Sequence, residues 1–225
     1  MMNVVAIDGP AASGKSSVAT AVAEQLNAVH INTGSMYRAI GLKTILAGID
    51  PEKNPDAFAE KLYSVKMRFV RKDSGDPDLE VDGVFPGELL RSEEASAAAS
   101  RVAAIPEVRQ QLVELQRQMA GNDLLVMEGR DIGTVVFPDA KYKFFLTASP
   151  EERAKRRLLQ DGFQLTPDLL RKTAAAIAER DLADSTRKTG PLKQAEDAIL
   201  VDSSNLTKEE TVQKIIQLIR KEQNA

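Results

Sequence analysis

The chain of 225 residues contains no cysteine and only one histidine, His30. The absence of cysteine excludes disulfide bonds, thiolate metal sites and a cysteine nucleophile, and it is typical of proteins that work in a reducing compartment. A single imidazole with no second histidine or cysteine makes a poor metal site. We therefore expect His30 to have a structural or a surface role.

Long apolar segments, a targeting sequence and a basic excess are also missing. No run approaches the roughly 20 apolar residues that span a bilayer, and the first ten residues lack the cationic start and apolar core of a signal peptide. The net charge of −3 gives no electrostatic reason to expect nucleic-acid binding. The composition, 43% hydrophobic and 28% charged, is that of an ordinary globular protein. We expect a cytoplasmic protein that binds neither nucleic acid nor membranes.

The most informative segment comprises residues 3–17, with the sequence NVVAIDGPAASGKSS. Residues 4–7 form a short apolar run that predicts a strand. Residues 9–16 fit the pattern G-x-x-x-x-G-K-[ST] of a phosphate-binding loop. After them, apolar side chains recur at a spacing of three and four, which indicates an amphipathic helix. The motif thus lies between a strand and a helix, as its chemistry requires.

The chemistry of such a loop is the binding of a phosphate chain by converging backbone N–H groups. Gly9 and Gly14 permit the tight curvature, and the start of the following helix adds unsatisfied donors and a partial positive charge. We expect the Lys15 ammonium to reach the β- and γ-phosphates, and the Ser16 hydroxyl to bind a magnesium ion that bridges them. The alternative is a chance glycine-rich turn, which the strand and helix on either side argue against.

The next part of the chain predicts a turn over residues 32–38, a helix over 39–47 and a second helix over 52–63. Arg38, close to a helix start, is either a solvated arginine or the partner of an anion. Residues 64–85 contain two alternating runs, interrupted at 73–78 and followed by an Asp82-Gly83 turn signal, which predict a small antiparallel sheet in an insertion. Residues 87–119 are helix-forming, with a break at Pro106.

A second informative segment comprises residues 123–137. Residues 124–127 form a fully apolar run, as expected of a central parallel strand. The run ends on Glu128, Gly129, Arg130 and Asp131, at the carboxyl edge of the predicted sheet, where ligands bind in open α/β folds. We therefore interpret these charged side chains as part of a site rather than as a purely structural ion pair. Further strands are predicted at 143–147 and 198–201.

The segment from 151 to 193 carries ten Lys or Arg against seven Asp or Glu, in a chain that is acidic overall. Residues 160–168 between its two predicted helices form an exposed loop. Next to a phosphate loop, an arginine-bearing loop of this kind can cover a nucleotide and expel water. The second helix, predicted over 169–188, carries Arg180, Asp184 and Arg187 at spacings that align them on one face.

Strands that alternate with helices predict an α/β fold, with a parallel sheet covered by helices on both sides. Several ordered segments resemble those of the bacterial cytidylate kinases, within the P-loop nucleoside monophosphate kinases. The resemblance extends over nearly the whole chain and is carried by IDGPAASGKSS, NTGSMYR, SRVAAIPEVR, EGRDIGTVVFPDA, ASPEERAKRR, ERDLADSTR and VDSSNLT.

The resemblance implies a five-stranded parallel sheet of the P-loop NTPase type, flanked by helices. It divides the chain into a kinase core at 1–33, 111–155 and 169–225, a monophosphate-binding domain at 34–110 with an insertion at about 64–105, and a lid at 156–168. We expect a monomer.

The resemblance also assigns roles to individual residues. Lys15, Arg130 and Arg187 are expected to be catalytic, with Ser16 on magnesium. The implied ATP-binding residues are Gly9, Pro10, Ala11, Ala12, Ser13, Gly14, Lys15, Ser16 and Ser17, with Arg153 and Arg157 reaching the phosphates when the lid closes. For the acceptor nucleotide, the resemblance implies that Arg38, Arg130 and Arg187 bind the phosphate. It implies that Ser100, Arg109 and Asp131 bind the cytosine edge, and that Arg180 and Asp184 bind the sugar.

The implied activity is ATP-dependent phosphorylation of CMP and dCMP in pyrimidine nucleotide metabolism. Two positions depart from the usual pattern: Asn32 stands where the family often has an acid, and Glu128 stands where it often has an aspartate. Two alternatives share the phosphate loop: a kinase for another small molecule, and a switch or assembly protein that hydrolyses ATP slowly.

Overall fold

A computed structural model of the chain describes residues 2–70, 78–121 and 123–223. Apart from Asp78, the predicted interruption at 73–78 lies outside these residues. The strands are β1 Met2–Asp8, β2 Val29–Asn32, β3 Met67–Val70, β4 Asp78–Val81, β5 Leu125–Gly129, β6 Ala140–Thr147 and β7 Ile199–Asp202. The α-helices are α1 Lys15–Leu26, α2 Thr33–Lys43, α3 Pro55–Ser64, α4 Glu93–Val102, α5 Pro106–Gln118, α6 Pro150–Gln160, α7 Pro167–Thr186 and α8 Lys208–Gln223.

The chain forms two compact units. The first unit comprises Met1–His30 and Asn122–Ala225, and the second unit comprises Ile31–Gly121. The predicted boundaries of core, monophosphate-binding domain and lid stay predictions.

The expected five-stranded sheet is present, with the strand order β2-β5-β1-β6-β7. Strand β1 pairs in parallel with β5 and β6, and β6 pairs in parallel with β7. The register places Asp8, the last residue of β1, opposite Gly129 of β5. The segment that follows β1 and the segment that follows β5 therefore leave the sheet side by side, and these are the two segments that the sequence marks as functional.

The core of the first unit explains why these runs form central strands. The strand side chains Val5, Ile7 and Phe144 are fully buried together with Val18 and Val22 of α1 and with Ile215 and Ile216 of α8. Val5 and Ile7, on one face of β1, thus find partners among the helices and the neighbouring strands, and this burial stabilises the sheet.

The second unit contains α2 to α5 and the predicted antiparallel sheet, in which β3 pairs with β4 from Met67 opposite Val81 to Val70 opposite Asp78. The Asp82-Gly83 turn follows β4, and both residues have positive φ angles, 53° and 81°. Helices α2 and α4 approach closely, since a Cβ atom on Gly41 would lie 2.7 Å from the Cβ of Ala98. This approach is possible because small residues, Gly41 and Ala98, lie where the two helices meet.

Several predicted helix boundaries are wrong. Residues 33–38 are not a turn, because the Asn32 side chain accepts a hydrogen bond from the backbone N–H of Ser35 at 3.2 Å and starts α2 at Thr33. That helix ends at Lys43, and Ile45–Ala47 forms a separate short 3-10 helix. Helix α3 begins at Pro55 rather than at residue 52. Helix α7 ends at Thr186, two residues before the predicted end.

Other helix termini agree with the sequence signals. Pro106 is the first residue of α5. The Ser149 hydroxyl caps α6 by accepting from the N–H of Glu152. The side chains of Thr207 and Glu210 each accept from the other residue's N–H group, which is the reciprocal arrangement of a capping box at the start of α8.

Candidate active site

The phosphate loop between β1 and α1 depends on unusual backbone conformations. The φ angles are +153° at Gly9, +89° at Gly14 and +57° at Ala12. A Cβ atom on Gly9 would lie 2.0 Å from the carbonyl oxygen of Leu146 in β6, so no other residue fits there without a backbone shift. Since Gly14 is the N-cap of α1, no side chain caps the first turn of this helix. Its N–H groups are therefore suited to an anion.

The Lys15 side chain is buried and folds back over the loop. Its ammonium donates to the carbonyl of Pro10 at 2.6 Å and to the Ser13 hydroxyl at 3.2 Å. Burial and the nearby charge of Arg130 hold the pKa of Lys15 well below its usual value, although Glu128 and Asp8 act in the opposite direction. A bound polyphosphate would supply the negative charge that this ammonium needs.

The carboxylate of Asp8 joins the phosphate-loop strand to the segment after β5. Its two oxygens accept the backbone N–H groups of Ile132 at 2.8 Å and Gly133 at 2.7 Å. Burial raises the pKa of Asp8 to about 6, although these two hydrogen bonds lower it in part. Sequence reasoning assigned no role to Asp8, and the π-helical turn Ile132–Val136 that it holds was also not predicted.

Glu128, at the end of β5, lies between the phosphate loop and His30. Its Oε1 atom is 3.5 Å from His30 Nε2. The Glu128 carboxylate also has a hydrogen bond with the Ser16 side chain. Burial raises the pKa of Glu128, but the hydrogen bond and charge of His30, the charge of Lys15 and the bond to Ser16 together hold it below its usual value. His30 is buried, and its Nδ1 lies 3.1 Å from the Thr20 hydroxyl oxygen. Of its two expected roles, the structural one agrees with these contacts.

An arginine–aspartate network connects the EGRD segment to the end of α7. Arg130 Nε lies 2.9 Å from Asp184 Oδ2, and Arg187 Nη1 lies 3.4 Å from Asp184 Oδ1. The other Nη of Arg187 is 3.9 Å from Asp131 Oδ1. Arg187 lies just after α7, so the prediction that it shares a helix face with Arg180 and Asp184 is wrong. It reaches Asp184 because it directly follows the helix end.

Arg180 adds another guanidinium to this cluster. Burial, together with the charges of Arg130 and Arg157, lowers the pKa of Arg180, and Asp184 opposes the shift. Among the residues that the structure describes, its buried Nε has no hydrogen-bond partner. Several buried or half-buried arginines thus lie close together, and the Nε of Arg180 is available to an anion.

Three arginines of α6 surround the base of the predicted lid. Arg157 pairs with Asp161 at 2.7 Å. Arg153 is buried and donates to the carbonyls of Ala148 at 3.1 Å and Ala11 at 3.0 Å. Arg156, which the sequence did not single out, donates to the carbonyls of Ser13 at 3.2 Å and Ser203 at 2.7 Å. Only the tertiary fold reveals that role, because the sequence shows Arg156 as one cation in a basic run.

The predicted acceptor residues Arg38, Ser100 and Arg109 belong to the second unit. Arg38 lies in the second turn of α2, where its Nη2 is 3.4 Å from the Ser35 hydroxyl. Arg109, in the first turns of α5, is almost fully buried, and its guanidinium carbon is 5.7 Å from the centre of the Tyr37 ring. Ser100 is half-buried on α4. The remaining predicted site residues are in the first unit.

The described residues contain no ready-made cluster of metal-ligating side chains. Across residues 2–70, 78–121 and 123–223, no group of three or more His, Asp or Glu side chains could hold a metal ion. The Ser16 hydroxyl lies at the start of α1 and is hydrogen-bonded to Glu128. It could serve as the one protein ligand of a cation whose other ligands include phosphate oxygens. None of the described helices is long and apolar enough to cross a membrane.

The comparisons with known proteins agree with this geometry. The sequence profile of the cytidylate kinase family matches residues 5–221. A curated protein named cytidylate kinase from Mycobacterium leprae (strain Br4923) is 44% identical over 223 residues, which is 99% of this chain and 97% of that protein. Another of the same name from Pelotomaculum thermopropionicum is 45% identical over 216 residues, 94% of this chain and 93% of that protein.

A solved structure of low sequence identity shares the fold. A crystal structure of an uncharacterized protein from Eubacterium ventriosum ATCC 27560 matches with a TM-score of 0.53 and 13% identity, covering 96% of this chain and 98% of that one. At this identity the likeness concerns the fold alone.

Proposed function

The chain belongs to the cytidylate kinase family, and we propose that it transfers the γ-phosphoryl group of ATP to CMP or dCMP, which yields ADP and CDP or dCDP. The observation that carries the proposal is the cluster of cations in the first unit. A buried lysine on a phosphate loop and the arginines Arg130, Arg180 and Arg187 lie within electrostatic or hydrogen-bonding reach of one another or of Asp184. Such a cluster is suited to polyanionic ligands.

The donor nucleotide is assigned to the phosphate loop. Residues 9–17 form the loop that binds the phosphates of ATP, with the backbone N–H groups at the start of α1 as donors, and Lys15 neutralises the charge between the β- and γ-phosphates. Ser16 is the protein ligand that would hold Mg²⁺, with Glu128 orienting its hydroxyl. When bound, the ion would neutralise phosphate charge.

The acceptor nucleotide is assigned to the residues that the family resemblance implies. Arg38, Arg130 and Arg187 bind its phosphate, and Arg180 and Asp184 bind its sugar. Ser100, Arg109 and Asp131 bind the cytosine edge, since a carboxylate accepts from the exocyclic amino group while Arg and Ser donate to the ring acceptors. The base contacts distinguish this reaction from that of a kinase for another small molecule.

The reaction needs no protein base, because an ionised phosphate oxygen of CMP is already the nucleophile. This oxygen forms a bond to the γ-phosphorus while the bond from the γ-phosphorus to the β,γ-bridging oxygen breaks, and ADP leaves with that electron pair. Lys15, Arg130 and Arg187 stabilise the charge on the transferred group. Closure of residues 156–168, with Arg157 turning from Asp161 to the ATP phosphates, would exclude water. The contacts of Arg153 favour an indirect role.

A panel of nucleoside monophosphates with ATP and magnesium tests the proposal. In a coupled assay of ADP release, we expect CMP and dCMP to be the preferred acceptors. Equal or greater turnover with AMP, GMP or UMP would overturn the assignment of the base, and ATP hydrolysis without an acceptor would favour a nucleotide switch.

The cytosine assignment is tested separately with Asp131→Ala. We expect this change to reduce kcat/KM for CMP by about 10²-fold, because the base loses a charge-assisted hydrogen bond, whereas ATP binding changes little. The matched control is Asp139→Ala, which removes an exposed carboxylate from the same segment. An equal loss for ATP and CMP would contradict the assigned role. A monomeric state and a cytoplasmic location stay predictions.

A further inference from the structure

The peptide groups on both sides of Ala11, in the phosphate loop, are bound by side chains of the two helices that flank the predicted lid. The Ala11 N–H donates to Asp181 Oδ1 of α7 at 2.9 Å. The Ala11 carbonyl accepts from Arg153 Nη1 of α6 at 3.0 Å. Arg153 Nη1 also pairs with Asp181 Oδ2, and Arg153 Nε donates to the carbonyl of Ala148 at the end of β6. One ion pair thus fixes the loop backbone from two helices.

Burial and apolar packing strengthen this arrangement. The side chains of Arg153 and Asp181 are only 9% and 17% exposed, so their hydrogen bonds face little competition from water. Ala11 packs in one apolar cluster with Ala154 of α6 and Ile177 of α7, one helical turn from Asp181. Because the Ala11 N–H donates to Asp181, it is not available to donate to a phosphate. The family resemblance nevertheless places Ala11 among the ATP-binding residues.

We infer that Asp181 and Arg153 are positioning residues that hold the phosphate loop, through the Ala11 peptide groups, in the conformation that binds ATP. The inference rests on the proposed use of this loop for ATP. It also means that α6 and α7, which carry the predicted lid between them, are mechanically connected to the phosphates. Arg153 therefore acts on ATP through Ala11, without a direct contact.

The sign of the effect on ATP affinity distinguishes positioning from simple electrostatics. Asp181 is close enough to Lys15 to affect its pKa, so the carboxylate lies in the field of a bound triphosphate. On charge alone, removing it would tighten ATP binding. If Asp181 positions the loop, Asp181→Ala weakens ATP binding although a repelling charge has gone. Asp181→Asn keeps an oxygen acceptor for the Ala11 N–H and recovers most of the affinity.

The experiment measures the Kd of ATP with magnesium, by calorimetry and without CMP, for the wild type, Asp181→Ala, Asp181→Asn and Arg153→Lys. The matched controls are Glu179→Ala and Glu179→Gln, which remove an exposed carboxylate from the same helix. We expect about tenfold weaker binding for Asp181→Ala, from the lost charge-assisted hydrogen bonds. We expect less than about threefold for Asp181→Asn and no change for the controls. The KM for CMP should change little in every variant.

Three outcomes would overturn the inference: tighter ATP binding by both Asp181 variants, unchanged binding by Asp181→Ala, or equal increases in the KM values of ATP and CMP. If circular dichroism shows that Asp181→Ala does not fold, the comparison of Asp181→Asn with Arg153→Lys decides. A lysine at 153 cannot bind the carbonyls of Ala148 and Ala11 together. A positioning role therefore predicts that Arg153→Lys weakens ATP binding more than Asp181→Asn does. A wild type that binds no ATP would count against the proposed function instead.

Discussion

At the scale of single residues, Lys15 shows how a functional group can be unfavourable for the protein that carries it. Its ammonium is buried, and burial and Arg130 lower its pKa, so without a ligand its charge is poorly compensated. Replacing such a charge by an apolar group of similar size is often neutral or stabilising. The presence of Lys15 is therefore explained by the anion that it binds and not by a contribution to the stability of the fold.

We predict that Lys15→Met lowers kcat by about a thousandfold, because the transferred phosphoryl group loses a cation in the transition state. Without nucleotide, the thermal unfolding temperature should equal or exceed that of the wild type, since a desolvated charge has been removed. Differential scanning calorimetry and the coupled assay measure the two effects. Lys214→Met, at an exposed position of α8, is the control and should alter neither. A marked fall in the unfolding temperature would show that Lys15 supports the fold.

At the scale of elements, the turn between β1 and α1 is constrained by the backbone of the neighbouring strand. A Cβ atom on Gly9 would overlap the Leu146 carbonyl oxygen at 2.0 Å, whereas one on Gly48, whose φ angle is +80°, would meet nothing within 4 Å. Both positions strain an L-residue, but only Gly9 also creates a clash between two backbone segments.

We predict that Gly9→Ala destabilises the protein by about 4 kcal/mol or more, and that Gly48→Ala costs about 1 kcal/mol, the strain of a positive φ alone. Urea unfolding followed by far-ultraviolet circular dichroism gives both free energies of unfolding. The comparison separates the steric term from the conformational one. Similar losses for the two variants would show that β6 moves away from Gly9 without cost.

The sequence predicted the elements whose signals are local. The apolar runs of β1, β5 and β6, the phosphate loop and the proline at the start of α5 were found because each depends on neighbouring residues. The start of α2 was missed because Gly34 and Ser35 suggest a turn. In the structure, the Asn32 side chain accepts a hydrogen bond from the Ser35 N–H and caps a helix that begins at Thr33.

The site was predicted only in part, for a related reason. Glu128, Arg130 and Asp131 were found because a strand end precedes them, and many other residues came from the family resemblance. The bonds of Asp8 to Gly133, of Arg156 to Ser203 and of Asp181 to Ala11 connect residues far apart in the chain. No periodicity or spacing encodes such contacts, and only the tertiary fold supplies them.

At the scale of the whole molecule, the buried carboxyl group of Asp8 couples the free energy of unfolding to pH. Its pKa is about 6 in the folded protein and 3.8 as the reference value for an unfolded chain. Between these values the folded state binds more protons than the unfolded state, so this group makes stability fall as pH rises. Glu128, whose pKa is lowered, has the opposite effect, losing stability as pH falls below its unfolded value.

We predict that the wild type loses about 2 kcal/mol relative to Asp8→Asn as the pH rises from 4.5 to 7.5, since each pKa unit corresponds to about 1.4 kcal/mol and part of the effect lies below this range. The amide introduced by this change has a single oxygen and cannot replace both carboxylate oxygens that accept the N–H groups of Ile132 and Gly133, so the variant also carries a loss that does not depend on pH. Only the change of the difference with pH reports on the carboxyl group, because Glu128 and the other titrating groups are common to both proteins.

Urea unfolding at half-unit pH intervals from 4.5 to 7.5 measures this difference, with an inert buffer mixture held at constant ionic strength. The stability of the wild type relative to Asp8→Asn should decline up to about pH 6, the value set by burial of Asp8, and then level off. A difference that stays constant across this range would mean that the two hydrogen bonds fully offset the burial of Asp8. If the stability of the wild type relative to Asp8→Asn rose with pH, the two hydrogen bonds would more than offset the burial of Asp8. The ionised carboxylate would then be the form that the folded protein favours.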